Sequence, residues 1–187
     1  CRFVYYGDHK HVPYGGRTAE EICSFTERAF ELFLRMGTDA AVIACNTATA
    51  VAAERLRERF PFPVVGMEPA VKLAAESCQR ALVLVTPVTA NSRRLRGLML
   101  RFPQCRFRVH SAPDLAAAIE RSVLSDSPLS LAEHLPSGEF DGVVLGCTHY
   151  VFVREEIERF YGCTTFDGNY GTAQRLKKCL KTAKIGT

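Results

Sequence analysis

A chain of 187 residues, 47% hydrophobic and 24% charged, is long enough to bury a core as one domain or two small ones. Its net charge of +4 comes without a dense basic run, which argues against a nucleic-acid partner, and no apolar stretch is long enough to span a membrane. Eight cysteines lie scattered with no Cys-x-x-Cys pair, so neither a zinc ribbon nor a thioredoxin-type site is indicated; with no leader-like segment, a reduced, cytosolic protein is expected.

Arg2-Phe3-Val4-Tyr5-Tyr6 is aromatic and β-branched, and Gly7-Asp8 closes it, which predicts a strand followed by a loop. The loop, 7–16, holds His9, His11, Pro13, Tyr14 and Gly15; His9-Lys10-His11 has no partner cluster and reads as solvated rather than as half a metal site. Thr18-Ala19-Glu20-Glu21 is a capping box. It opens a helix to about residue 36, apolar on Ile22, Phe25, Ala29, Leu32 and Phe33 and ended by Gly37. Cys23, beside that face, reads as packing. A strand over 40–44 then ends on Cys45, and a helix follows to residue 60, where Pro61 and Pro63 break it.

Residues 64–66 predict a short strand, 67–69 a crossover and 70–77 a helix. Residues 81–85 form a strand that ends in a polar turn, 86–92, before a helix to about 102. A strand over 107–110 and a helix opened by Pro113-Asp114-Leu115, bearing Ile119 and Glu120, come next. Residues 125–138, rich in Ser, Pro and Leu, predict a short helix between loops. A strand over 142–146 leads to Cys147 and a helix over 153–160; a strand at 164–166 and a helix over about 170–181 close the chain. Arg175, Lys177, Lys178, Lys181 and Lys184 read as a solvated helix face. Alternating strands and helices argue a parallel α/β architecture, and the lack of a Gly-x-Gly-x-x-Gly or Walker-type loop argues against a dinucleotide or nucleotide triphosphate.

Two of these segments repeat each other. Asp39 and Asp141 each lie six residues before a cysteine, Cys45 or Cys147, and a small residue, Ala44 or Gly146, precedes each thiol. The helix after each copy ends on Arg-Phe, at Arg59-Phe60 and Arg159-Phe160. Matching units imply two half-molecules, each presenting a thiol at a strand's carboxyl end, the edge where open α/β sheets bind ligands. Two facing thiols suit chemistry in which one takes a proton and the other gives one. The helix start after each thiol offers amide N–H groups to a carboxylate, and its dipole is expected to lower the thiol pKa toward neutrality. Cys78, Cys105, Cys163 and Cys179 read as spectators, and His110 and His134 as structural or exposed.

Ala44-Cys45-Asn46-Thr47-Ala48 and Gly146-Cys147-Thr148-His149-Tyr150 resemble the two signatures of the glutamate racemases, in the aspartate/glutamate racemase superfamily. Tyr6-Gly7-Asp8 with Val12-Pro13-Tyr14-Gly15 resembles that family's substrate loop. Thr86-Pro87-Val88-Thr89 with Ser92 resembles its second carboxylate-binding turn, and 113–120 the segment ending on its functional glutamate. The resemblance covers nearly the whole chain. It implies two pseudo-symmetric flavodoxin-like halves, 1–68 plus 169–187 and 69–168, with the active site between them. It also implies cofactor-independent racemisation of glutamate, supplying D-glutamate for peptidoglycan. By analogy Cys45 acts on the D-enantiomer and Cys147 on the L-enantiomer, with His149 and Glu120 tuning or shuttling the Cys147 proton. Asn46, Thr47, Thr89 and Thr148 would hold the substrate, and Pro13, Tyr14 and Gly15 shape the loop. The expected partners are the small-molecule substrate and, from the family's habit, a second copy of the chain.

The family's opening strand and Asp-Ser-Gly turn, whose Asp assists the first cysteine and whose Ser helps bind substrate, have no counterpart here. The chain starts at Cys1 without Met, so a truncated form or an internal start is expected. Tyr150-Val151-Phe152 also stands where the family has Tyr-Pro and aliphatic residues. The alternatives are a non-catalytic remnant that binds an amino acid or a partner, and a related racemase with another substrate.

Overall fold

The structure, a computed structural model, describes residues 2–125 and 128–183; Cys1 and Lys184 lie outside the described residues. Among the described residues every strand pairing is parallel, in two sheets. β1 (Ala41–Ile43) pairs with β2 (Val64–Gly66), Ala41 opposite Val64. α1 (Ala19–Arg35) and α2 (Asn46–Arg59) pack together over this pair, around Ile22, Phe30, Ala52, Leu56 and Phe60. The Thr18 capping box is complete: the Thr18 hydroxyl accepts from the Glu21 amide at 3.2 Å, and Glu21 accepts from the Thr18 amide at 2.9 Å. The buried stripe of α1 is Ile22, Thr26, Ala29 and Phe30. It is rotated from the expected face, leaving Phe25 and Leu32 half-buried, because Phe30 is drawn against Phe60 and Phe62 at ring separations of 5.4 and 5.9 Å.

The second sheet has the order β4–β3–β5–β6, with β3 Arg80–Val85, β4 Arg106–Ser111, β5 Gly142–Gly146 and β6 Thr164–Phe166. Leu82 and Leu84 of β3 join Val143 and Leu145 of β5 beneath α6 (Leu115–Ser125) and α7 (Arg154–Tyr161). Ala81, Val83, Val85 and Val144 meet α3 (Val71–Ser77) and α5 (Arg93–Leu100) on the other face. Burial on both faces explains why these two strands read as continuous apolar runs, without apolar–polar alternation. The two aspartates of the repeat diverge. Asp141 accepts from the Gln79 and Arg80 amides at 3.0 and 2.8 Å, tying the start of β5 to that of β3, and those bonds, the Arg80 amide first, hold its pKa below the usual value. Asp39 is exposed.

From β3 the chain crosses to β4 on one side, then passes back to β5 on the other. The strand order therefore reverses between β3 and β5, and the crevice above their carboxyl ends is the expected ligand position. α8 (Asn169–Ala183) returns to pack on β2, with Arg175, Lys177, Lys178 and Lys181 exposed.

Three further expectations need correction. Residues 2–6 form no strand. They are exposed and pair with nothing in the two-stranded sheet, and an extended segment without a ladder partner gains no strand hydrogen bonds. The polar turn 86–92 contains a one-turn helix, α4 (Pro87–Ala90), because Pro87 presets the first helical position. His11 is not solvated: its ring stacks on Phe25 at 3.9 Å and its Nδ1 lies 2.7 Å from Asp8 Oδ1.

Candidate active site

The two thiols open into one cleft of about 400 Å³. Cys45 follows β1 and is the N-cap of α2, its Sγ accepting from the Ala48 amide at 3.5 Å. Cys147 follows β5 and precedes a 3-10 turn, Thr148–Val153. What places Cys147 is a close approach of strands. A Cβ on Gly146 would lie 2.4 Å from Val85 Cγ1 and 2.9 Å from the Leu84 carbonyl, so only glycine lets β5 reach this height beside β3. Because Val85 pairs with Gly146, the next residues, Thr86 and Cys147, emerge side by side at the reversal point.

A polar relay backs Cys147. His149 Nδ1 lies 3.7 Å from its Sγ, and His149 Nε2 lies 2.8 Å from Glu120 Oε1 on α6. A carboxylate on one ring nitrogen fixes the tautomer and stabilises the imidazolium if the other nitrogen takes a proton. Residues 7–9 and 12–15 of the loop also line the cleft. Asp8 anchors the loop, accepting from the Tyr14 hydroxyl at 2.7 Å, and Pro13, Tyr14 and Gly15 all face the cleft. Thr47 and Thr86 join the two halves through hydroxyls 2.9 Å apart.

The electrostatics run against the helix-dipole expectation. Burial pushes the Cys147 thiol up to about 12, outweighing the His149 and Tyr150 amides that act to lower it, while Cys45 and Glu120 raise it further. Burial raises Cys45 as well, against hydrogen bonds from Ala48 and Thr47. A 3-10 turn of one or two windings offers little dipole, whereas removal from water penalises a thiolate directly. Both thiols are therefore protonated at neutral pH, and either thiolate, once formed, is a strong base. Burial also acts to raise Asp8, but the Tyr14 and His11 hydrogen bonds prevail and leave its pKa below the usual carboxylate value. The Tyr14 phenol is raised by burial and by Asp8, so it stays a donor.

Of the residues singled out in the sequence, Cys45, Cys147, His149, Glu120, Thr47 and Thr148 line the cleft with the 13–15 segment. Asn46 and Thr89 do not. They are 4% and 1% exposed and lie behind the wall, Thr89 accepting from Thr86 Oγ1 at 3.1 Å. Ser92 caps α5. Asp8 and Thr86 are the cleft residues that sequence reasoning passed over within its loop and its turn. The signal for Thr86 was its position directly after an apolar run, as for each cysteine.

The Asp/Glu/Hydantoin racemase family matches residues 4–176. The chain is 36% identical over 195 residues to a glutamate racemase of Bifidobacterium animalis subsp. lactis, a match spanning 97% of this chain and 75% of that relative. It is 38% identical over 190 residues to one of Clostridium perfringens, spanning 96% and 73%. Its fold is similar to that of Escherichia coli glutamate racemase, solved with L-glutamate and the activator UDP-MurNAc-Ala: TM-score 0.81, 29% identity, 93% of this chain and 70% of that one. Fold, paired thiols and relatives agree, and the chain belongs to the Asp/Glu/hydantoin racemase family.

Proposed function

We infer that this protein is a racemase that interconverts L- and D-glutamate by proton transfer between two cysteines, and that it supplies D-glutamate for peptidoglycan in the cytoplasm. The observation that carries the reading is the meeting of Cys45 and Cys147 in one cleft. The relatives' shared activity supports it. No helix among the described residues is long and apolar enough to cross a membrane. The two halves, 1–68 with 169–187 and 69–168, close the site between them.

One thiolate removes the α-proton and the opposite thiol delivers a proton to the other face, so each turnover exchanges the roles of Cys45 and Cys147. His149 takes the Cys147 proton at Nδ1, and Glu120 stabilises the resulting charge at Nε2. A thiolate whose conjugate acid lies near 12 is a better match for the weakly acidic Cα–H than an ordinary thiolate of pKa about 8.5, by roughly 1.4 kcal/mol per unit. The remaining mismatch falls to fixed donors. Thr47 and Thr148, with nearby amides, hold the carboxylates, and donors fixed in this way need no reorganisation as charge develops. Asn46 and Thr89 support this wall from behind.

Solvent deuterium incorporation at Cα, followed with each glutamate enantiomer, tests the reading. Exchange from both enantiomers is expected, with Cys147→Ser suppressing exchange from L-glutamate and Cys45→Ser exchange from D-glutamate. No exchange with either enantiomer would sink the catalytic reading and leave an amino-acid-binding protein.

A further inference from the structure

The cleft has a lopsided charge balance. Its lining includes two carboxylates, Asp8 and Glu120, and among the described residues no lysine or arginine. Glu120 is engaged by His149 at 2.8 Å. Asp8 is the more secluded of the two, its side chain 10% exposed against 32% for Glu120. A carboxylate this far from water is ordinarily matched by a cation. Here its partners are single-point ones: His11 Nδ1, within ion-pair distance, and the Tyr14 hydroxyl, each at 2.7 Å and each on a different oxygen. Those donors keep it ionised, yet each oxygen can accept a further bond. Tyr14, which Asp8 holds, packs against the same apolar cluster as Cys45, so the carboxylate lies on the Cys45 side of the cleft. Thr47 and Thr148 in the same lining suit anionic groups instead. An amino acid arrives with both kinds of charge, and its ammonium is the one group for which the cleft otherwise holds only Glu120.

We propose that Asp8 recognises the substrate's α-ammonium group and thereby makes the cleft selective for amino acids over the matching carboxylic acids. The inference rests on the amino-acid reading of this cleft. A ligand without the amino group brings more negative charge to a secluded carboxylate and no cation to engage it, so discrimination comes from repulsion of the wrong ligand as well as attraction of the right one. The roughly twofold greater strength of charge-assisted hydrogen bonds over neutral ones sets the scale.

Calorimetric titration of the full chain with L-glutamate, glutarate and 2-hydroxyglutarate separates the roles. The unaltered protein is expected to bind glutamate at least about 10-fold more tightly than either analogue. Asp8→Asn should bring the three affinities together by weakening glutamate alone, and Asp8→Glu should restore part of the preference. Equal weakening of all three ligands in Asp8→Asn would overturn the proposal and assign Asp8 to holding the Tyr14 loop. Equal affinity of the unaltered protein for glutamate and 2-hydroxyglutarate would overturn it without any variant. Failure of the unaltered protein to bind any of the three would sink the amino-acid reading itself, and this inference with it.

Discussion

Cys147 shows how burial and hydrogen bonding compete at one atom. At 6% exposure, the loss of water outweighs two backbone amides, and the thiol rises to about 12. Its alkylation by iodoacetamide, read from the Cys147 peptide by mass spectrometry, is therefore expected to climb steadily from pH 7 to 10.5 without a plateau. A plateau near pH 8 would mean that the thiolate is stabilised instead. The relay behind it carries a second expectation. General acid–base partners contribute about 10²–10⁴ in rate. Replacing His149 by Asn should slow α-proton exchange from L-glutamate by at least the lower figure, and exchange from D-glutamate by clearly less. An equal loss from both enantiomers would assign His149 to substrate binding rather than to the Cys147 proton.

At the scale of elements, two glycines make a controlled pair. Gly146 ends β5 against β3, and a methyl there would meet Val85 Cγ1 and the Leu84 carbonyl. Gly146→Ala is expected to lower stability by about 1–3 kcal/mol through overpacking and to displace Cys147 and Thr86 together. Gly97 lies exposed within α5, with nothing within 4 Å of an added Cβ. Gly97→Ala should raise stability by about 1 kcal/mol, since alanine is the better helix former, and leave activity unchanged. Urea midpoints and exchange rates on the two variants check both signs. A stabilised, active Gly146→Ala would show that the two strands can part without disturbing the thiol.

For the whole molecule, the shifted groups set the pH limits of stability. Cys147 titrates near 8.5 unfolded and near 12 folded, so its contribution is fully present below about 8.5 and is lost as pH rises toward 12. Cys45 is shifted in the same direction. Asp8 is depressed, so its contribution is present above the unfolded value of about 3.9 and is lost as pH falls through the lower folded value. The unfolding free energy read from urea titrations is expected to fall on the alkaline side, by roughly 1 kcal/mol per pH unit above 9 from Cys147 alone. Cys147→Ser should flatten that limb and leave the acid limb in place. An unchanged alkaline limb in the variant would remove Cys147 from the account.

The sequence by itself determined the pieces governed by local chemistry. The Thr18 capping box, the apolar runs of β3 and β5, the repeated Asp–small residue–Cys spacing and the order of strands and helices all depend on neighbours a few residues apart, and all are legible in one dimension. The resemblance around Cys45 and Cys147 named the chemistry from those same short stretches. Only the tertiary structure decided what depends on partners far along the chain. Residues 2–6 have strand-forming side chains but no ladder to join. The helix starts would lower the thiols, yet burial by distant residues raises them. Thr89 matched a motif but faces Thr86 inside the wall, while Thr86 and Asp8 reach the cleft because strand register and loop folding bring them there. Propensity and spacing act through the covalent chain, whereas desolvation, register and charge pairing are properties of the packed interior.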